Sequence, residues 1–162
     1  MISPDLAEFV ESGIATSVAT RDAHLRPDCV RGVGARVVAG GTEIELLIPL
    51  ATCWRTVANV RDNGRVAVVF GRASDHRSIQ IKGRAVEVRD GGEADREYAA
   101  DFLRKLANDW LVAGVPPKLT LSITTWPNVV VRVAVEEIYV QTPGPDAGAA
   151  LGAGAKGSGA VA

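Results

Sequence analysis

The chain has 162 residues, 47% of them hydrophobic and 23% charged. That length and composition suit one globular domain and set aside a pair of large domains, a disordered polyampholyte, a collagen and a coiled coil. Eighteen Lys and Arg against nineteen Asp and Glu leave a net charge of -1, so no broad field steers the protein to nucleic acid or an anionic membrane, and a bound anion has to be gripped locally. Cys29 and Cys53 allow at most one bridge and read as reduced thiols. There is no apolar run of about 18 residues, and MISPDLAEFVES carries acids early, so by elimination the expected location is cytoplasmic.

Ser3-Pro4-Asp5 ahead of Leu6, Phe9 and Val10 reads as an N-cap with Pro in the first turn, predicting a short helix that stops at Gly13. IATSVAT, the charged turn RDAHLRP and CVRGVGARVV form a hairpin pattern, with Gly32 and Gly34 marking a bulge or a close backbone approach. Gly40-Gly41 turns the chain into EIELLIPL. A second helix follows, with Thr52 as candidate N-cap, apolar Trp54, Val57, Ala58 and Val60, and the stop Asp62-Asn63-Gly64. RVAVVFGRA and HRSIQIKGRAVEVRD read as strands, and the phase change from Ile79 and Ile81 to Val86 and Val88 predicts a bulge near Gly83. From Glu93 to Val112, Ala94, Tyr98, Phe102, Leu106 and Trp110 recur every four residues as the stripe of a third helix. Leu119–Ile123 and Val129–Val140 read as one or two strands buried on both faces, and the Gly/Ala-rich residues 143–162 as a flexible tail behind a domain of residues 1–142. The expected fold is mainly β (α+β): a six- to seven-stranded antiparallel barrel with three short helices.

Motifs for zinc hydrolases, phosphate loops and nucleophile elbows are absent, and two His with no acidic cluster leave a metal site short of ligands. LIPLATCWRTVANV stands out. There a strand delivers the chain to a helix start whose free N–H groups, the Thr52 and Thr56 hydroxyls and the Arg55 guanidinium can converge on an anion. The plainer reading is that Thr52 caps the helix and Arg55 is solvated.

The order ATRDAHLRPDCVRGVG, EIELLIPLATCWRTVANVRDNGRVAVVF, HRSIQIKGRAVEV resembles the flavin-binding split-barrel family typified by pyridoxamine 5'-phosphate oxidase. Most of residues 3 to 142 are covered. Asn63, Arg65 and Val66 stand in its "N-x-R-V" and Gly83 and Ala85 in its "G-x-A". Its Ser-Arg-Lys phosphate grip falls on Trp54, Arg55 and Thr56, so only the Arg is kept. Its phosphate-binding strand Arg aligns with Val30, with Arg31 one place away and Gly32 beside it to permit a bulge. A flavin-contacting polar residue falls near Ser78, with Gln80 and Lys82 on the same face. Lys82 either stabilises a reduced flavin from its pyrimidine edge or is an exposed strand lysine. Val30, Gly32, Ile48 and Leu50 are candidates to line the ring's slot. The resemblance also implies a homodimer with FMN at its interface, to which Trp126, Tyr139 and Gln141 are candidate contributors or else core and rim residues.

The resemblance thus implies a homodimeric FMN-dependent oxidoreductase passing a hydride to or from a small-molecule substrate. The family's C-terminal substrate-phosphate segment, with its Arg and His, has no match in VEEIYVQTPGPDAG, so the reaction of the namesake oxidase is not expected. The rival reading is a non-catalytic module of the same barrel holding flavin, haem or a deazaflavin. An oligonucleotide-binding barrel fits the strand count but not the neutral charge or the eight aromatics.

Overall fold

The computed structural model describes residues 1–151. Seven antiparallel strands run in the order β2-β1-β5-β6-β7-β4-β3. They are β1 (Ala15–Arg21), β2 (Pro27–Arg31), β3 (Gly34–Val38), β4 (Glu43–Pro49), β5 (Arg65–Gly71), β6 (Ser78–Asp90) and β7 (Asn128–Val140). Four helices accompany them, α1 (Pro4–Glu11), α2 (Trp54–Asn63), α3 (Glu93–Val112) and α4 (Pro117–Leu121), with a 3-10 turn at Ala39–Gly41. The sheet rolls into a split barrel around the apolar residues that alternate onto its inner face. Val18, Val68, Phe70, Ile79, Ile81, Val131, Val133, Ile44 and Leu46 are buried together, and Phe9 and Val10 of α1 close the cluster.

The local signals explain the joints. Ser3 caps α1, its hydroxyl oxygen accepting from Leu6 N at 3.4 Å. Gly64 ends α2 at φ 68°, its N–H donating to Val60 O. The expected irregularity at Gly83 is present as a register shift against β7 between Lys82 and Gly83. A Cβ at Gly83 would lie 2.0 Å from the Ala134 carbonyl oxygen, so only glycine allows the strands to meet there.

Two expectations are corrected. Thr52 is not the cap of α2: the cap position is Cys53, which makes no side-chain cap bond, and Thr52 Oγ1 donates to Pro49 O at 3.3 Å. Leu119–Ile123 is not a strand. Pro116-Pro117 opens the helical turn of α4, and Thr120 takes the buried side. Residues 143–151 run back along β7: Gly148 N donates to Val140 O, Val140 N to Ala149 O and Leu151 N to Ile138 O. β4 pairs with β7 only as far as Ala134, and this segment occupies the edge left open beyond it. The rest of the expected tail lies outside the described residues.

The outside of the barrel has two unlike halves. Over β3, β4 and β7, Leu47 and Val130 pack with Val33 under Ala99 and Tyr98 of α3. Beneath the start of α3, the buried Asp95 carboxylate accepts from Arg89 Nη1 (2.6 Å), Arg36 Nη2 (2.5 Å) and Gly92 N (2.9 Å). Over β2, β1, β5 and β6 the outward residues Arg31, Ser17, Ala19, Ala67, Val69 and Gln80 are exposed or half-buried. Among the described residues, no helix is long and apolar enough to cross a membrane.

Candidate functional site

At the β2 edge of this less covered half lies a cleft of about 430 Å³, lined by Cys29, Val30, Arg31, Pro49, Ala51, Thr52, Ile123 and Thr124. β2 supplies one wall, the β4–α2 connection a second, and the α4–β7 connection the third. The lining is mostly aliphatic, with one cation and two hydroxyls, the chemistry suited to a flat apolar group carrying an anionic substituent. The N–H groups opening α2 begin beside Thr52 and have no side-chain cap. The Arg31 guanidinium lies over the Trp110 ring, 4.8 Å from its centroid.

Arg31 and Thr52 are therefore brought to one cleft, which Val30 borders from the other face of β2, where it packs against the core; the other residues singled out from the sequence are placed elsewhere. Gly32 is buried where the chain crosses from β2 to β3, its N–H donating to Thr16 O at 3.0 Å; a Cβ there would lie 2.8 Å from Thr16 Cγ2. Ile48 is fully buried in the core and lines no surface slot. Leu50, past the end of β4, turns to the far side of the connection and faces a groove with Trp54, Val57, Val88 and Val129. Arg55 stacks on Trp54 at 4.7 Å and borders a different cavity, with Asp22, Arg26 and Asp28. Thr56 is buried and its hydroxyl donates to Asp28 Oδ2 at 2.7 Å, so it is not free to donate to an anion.

Ser78, Gln80 and Lys82 do share the outward face of β6, paired across from Gly71, Val69 and Ala67 of β5. Lys82 lines a second cleft of about 430 Å³ with Arg21, Arg65, Glu136 and Glu137. There its Nζ is 4.0 Å from Glu137 Oε2 and 4.7 Å from the Tyr139 ring centroid. Trp126 is half-buried, preceding a cis proline, with the Arg96 guanidinium 6.0 Å from its ring centroid. Two features escaped the sequence reading. Trp110 counted as one more member of an apolar stripe, and the Thr56–Asp28 pair spans 28 residues with no local signal.

Titration is perturbed mainly outside the cleft. The Arg89 guanidinium holds the Asp95 carboxyl well below the usual carboxylate range, against the cost of burial. Burial pushes Tyr98 up to about 12 while its hydroxyl donates to Ala35 O. Among the described residues, no group of three or more His, Cys, Asp or Glu converges as a metal site would require.

A family model described as pyridoxamine 5'-phosphate oxidase matches residues 2–142. The chain belongs to that family. HupZ of Group A Streptococcus superposes with a TM-score of 0.57 at 20% identity, over 91% of this chain and 100% of that one. An FMN-binding protein from Syntrophomonas wolfei gives 0.50 at 16%, over 84% and 86%. General stress protein 26 of Bacillus anthracis gives 0.51 at 12%, over 82% and 87%. At these identities the likeness is one of fold. The search of curated proteins found no match.

Proposed function

We propose that this member of the pyridoxamine 5'-phosphate oxidase family is an FMN-dependent oxidoreductase acting on a small molecule, and that it works as a homodimer in the cytoplasm. The observation that carries the reading is the cleft at the β2 edge, where Arg31 and Thr52 meet beside the uncapped start of α2. Its donor set fits the group in kind. A guanidinium suits a phosphate, and Pro49, Ala51 and Ile123 offer the smooth wall a ring system needs. A bound flavin would supply hydride exchange, and the protein orientation and electrostatics.

On this reading Arg31 binds the phosphate, and the aliphatic wall excludes water from one ring face. Gln80 and Lys82 lie along the same outward face, toward which the ring's polar edge would point. The dimer is supported by the small and apolar residues Ser17, Ala19, Ala67 and Val69, which leave that half of the barrel open to a second copy. A partner there would complete a cleft that one protomer leaves shallow.

The affinity for FMN of Arg31→Gln and Arg55→Ala tests the assignment. Arg31→Gln is expected to weaken binding at least tenfold, as loss of a charge-assisted phosphate contact should. Arg55→Ala is expected to change it less than threefold, because Arg55 faces a cavity bordered by Asp22 and Asp28. The reverse order refutes the assignment. One observation favours the rival non-catalytic carrier: with Thr56 committed to Asp28 and Arg55 facing another cavity, Arg31 is the one side-chain cation lining the cleft. A protein that binds FMN but does not reoxidise a reduced nicotinamide or reduce a dye would support that rival.

A further inference from the structure

We propose that Trp110 is a positioning residue for Arg31, and that the pair makes the cleft select phosphate-bearing flavins over the dephosphorylated form. The inference rests on the flavin reading above. Arg31 ends β2 exposed, its side chain directed outward on the face it shares with Ser17 of β1. A free arginine there would sample many rotamers, and ordering it on binding would cost affinity. Trp110 removes much of that freedom by placing its ring beneath the guanidinium, 4.8 Å from carbon to centroid.

The tryptophan is itself held. Its neighbour Asp109 accepts from Ala73 N (2.8 Å) and Ser74 N (3.2 Å), pinning the end of α3 to the β5–β6 loop. Trp110 therefore comes to Arg31 on a fixed platform, not on a loop. A ring beneath the guanidinium does not consume its N–H donors, and Arg31 makes no side-chain hydrogen bond among the described residues, so they remain available to a phosphate.

A comparison within the molecule shows that stacking alone does not make an anion site. Arg36 also lies over an aromatic ring, Tyr98 at 4.9 Å, but its edge is spent on Glu45 at 2.7 Å and Asp95 at 2.5 Å. Arg31 has no carboxylate within ion-pair distance among the described residues, and it lines a cleft. Arg36 is a structural ion-pair partner, whereas Arg31 is stacked, uncompensated and accessible.

The test uses the full-length protein and two probes, FMN and riboflavin, titrated by flavin fluorescence against wild type, Trp110→Ala, Trp110→Phe and Arg31→Gln. Wild type should bind FMN more tightly than riboflavin. Trp110→Ala should weaken FMN about two- to thirtyfold, the range of a cation–π contact, and leave riboflavin unchanged. Trp110→Phe should recover most of the loss. Arg31→Gln should abolish the discrimination, and Trp110→Ala added to it should cost nothing more.

A Trp110→Ala protein that loses both ligands equally, or keeps FMN at wild-type affinity, overturns the inference, as does a wild type that binds both flavins alike. If Trp110→Ala does not fold, retained discrimination in Arg31→Gln overturns it by itself. A wild type that binds neither flavin refutes the flavin reading, a result distinct from those just named.

Discussion

Replacing Asp95 with Asn probes the ion cluster that seats α3 on the barrel. The carboxylate accepts from two guanidinium groups and the Gly92 N–H, and its side chain is 6% exposed. Removing one member of a buried charged pair typically costs about 3–5 kcal/mol. Here Arg36 and Arg89 are 24% and 36% exposed, and Glu45 remains 2.7 and 3.7 Å from them, so solvent and the second carboxylate relieve the stranded charges. The expected loss is therefore about 2–3 kcal/mol near neutral pH, or about 4–12 °C in Tm for a domain of this size.

The pH dependence of that loss has a definite sign. The folded carboxyl titrates below its ordinary 3.8, so its stabilising contribution is complete above that value and fades as pH falls below it. Urea unfolding near neutral pH and at about pH 3 should show the gap between wild type and variant narrowing in acid at an unchanged m-value. A variant within about 0.5 kcal/mol of wild type, or a gap that widens in acid, refutes the reasoning.

Three further outcomes follow from the geometry. Gly83→Ala drives a Cβ to 2.0 Å from the Ala134 carbonyl oxygen; it should destabilise by about 3 kcal/mol or more, or fail to fold, as measured by denaturant melts. Thr56→Val leaves Asp28 without its 2.7 Å donor and should cost about 1–2 kcal/mol of stability while FMN affinity stays within about twofold, since that hydroxyl is outside the grip. Val69→Glu, in the middle of the open sheet face, should give a folded monomer by light scattering where wild type gives a dimer. A Val69→Glu protein that remains dimeric would place the interface elsewhere.

Local punctuation made much of the fold legible. Ser3-Pro4 marked the start of α1, and the change of phase between Ile81 and Val86 marked the irregularity near Gly83, because both reflect backbone constraints that a few residues determine. α4 was hidden because Leu119, Leu121 and Ile123 alternate as in a strand, whereas Pro116-Pro117 decides the conformation. At the site, Val30, Arg31 and Thr52 were readable from neighbouring strand and helix-start patterns. Ile48 and Leu50 shared a parity that Pro49 and the end of β4 broke, sending one inward and the other to the far side of the connection. Thr56's partner Asp28 and Arg31's partner Trp110 lie far away in sequence, where only the closed barrel brings them together.

The most direct test is the absorption spectrum of the purified protein, alone and titrated with FMN. The account predicts flavin bands that shift and sharpen on binding, saturating at one FMN per protomer. A colourless protein whose addition leaves the spectrum of free FMN unchanged would contradict it.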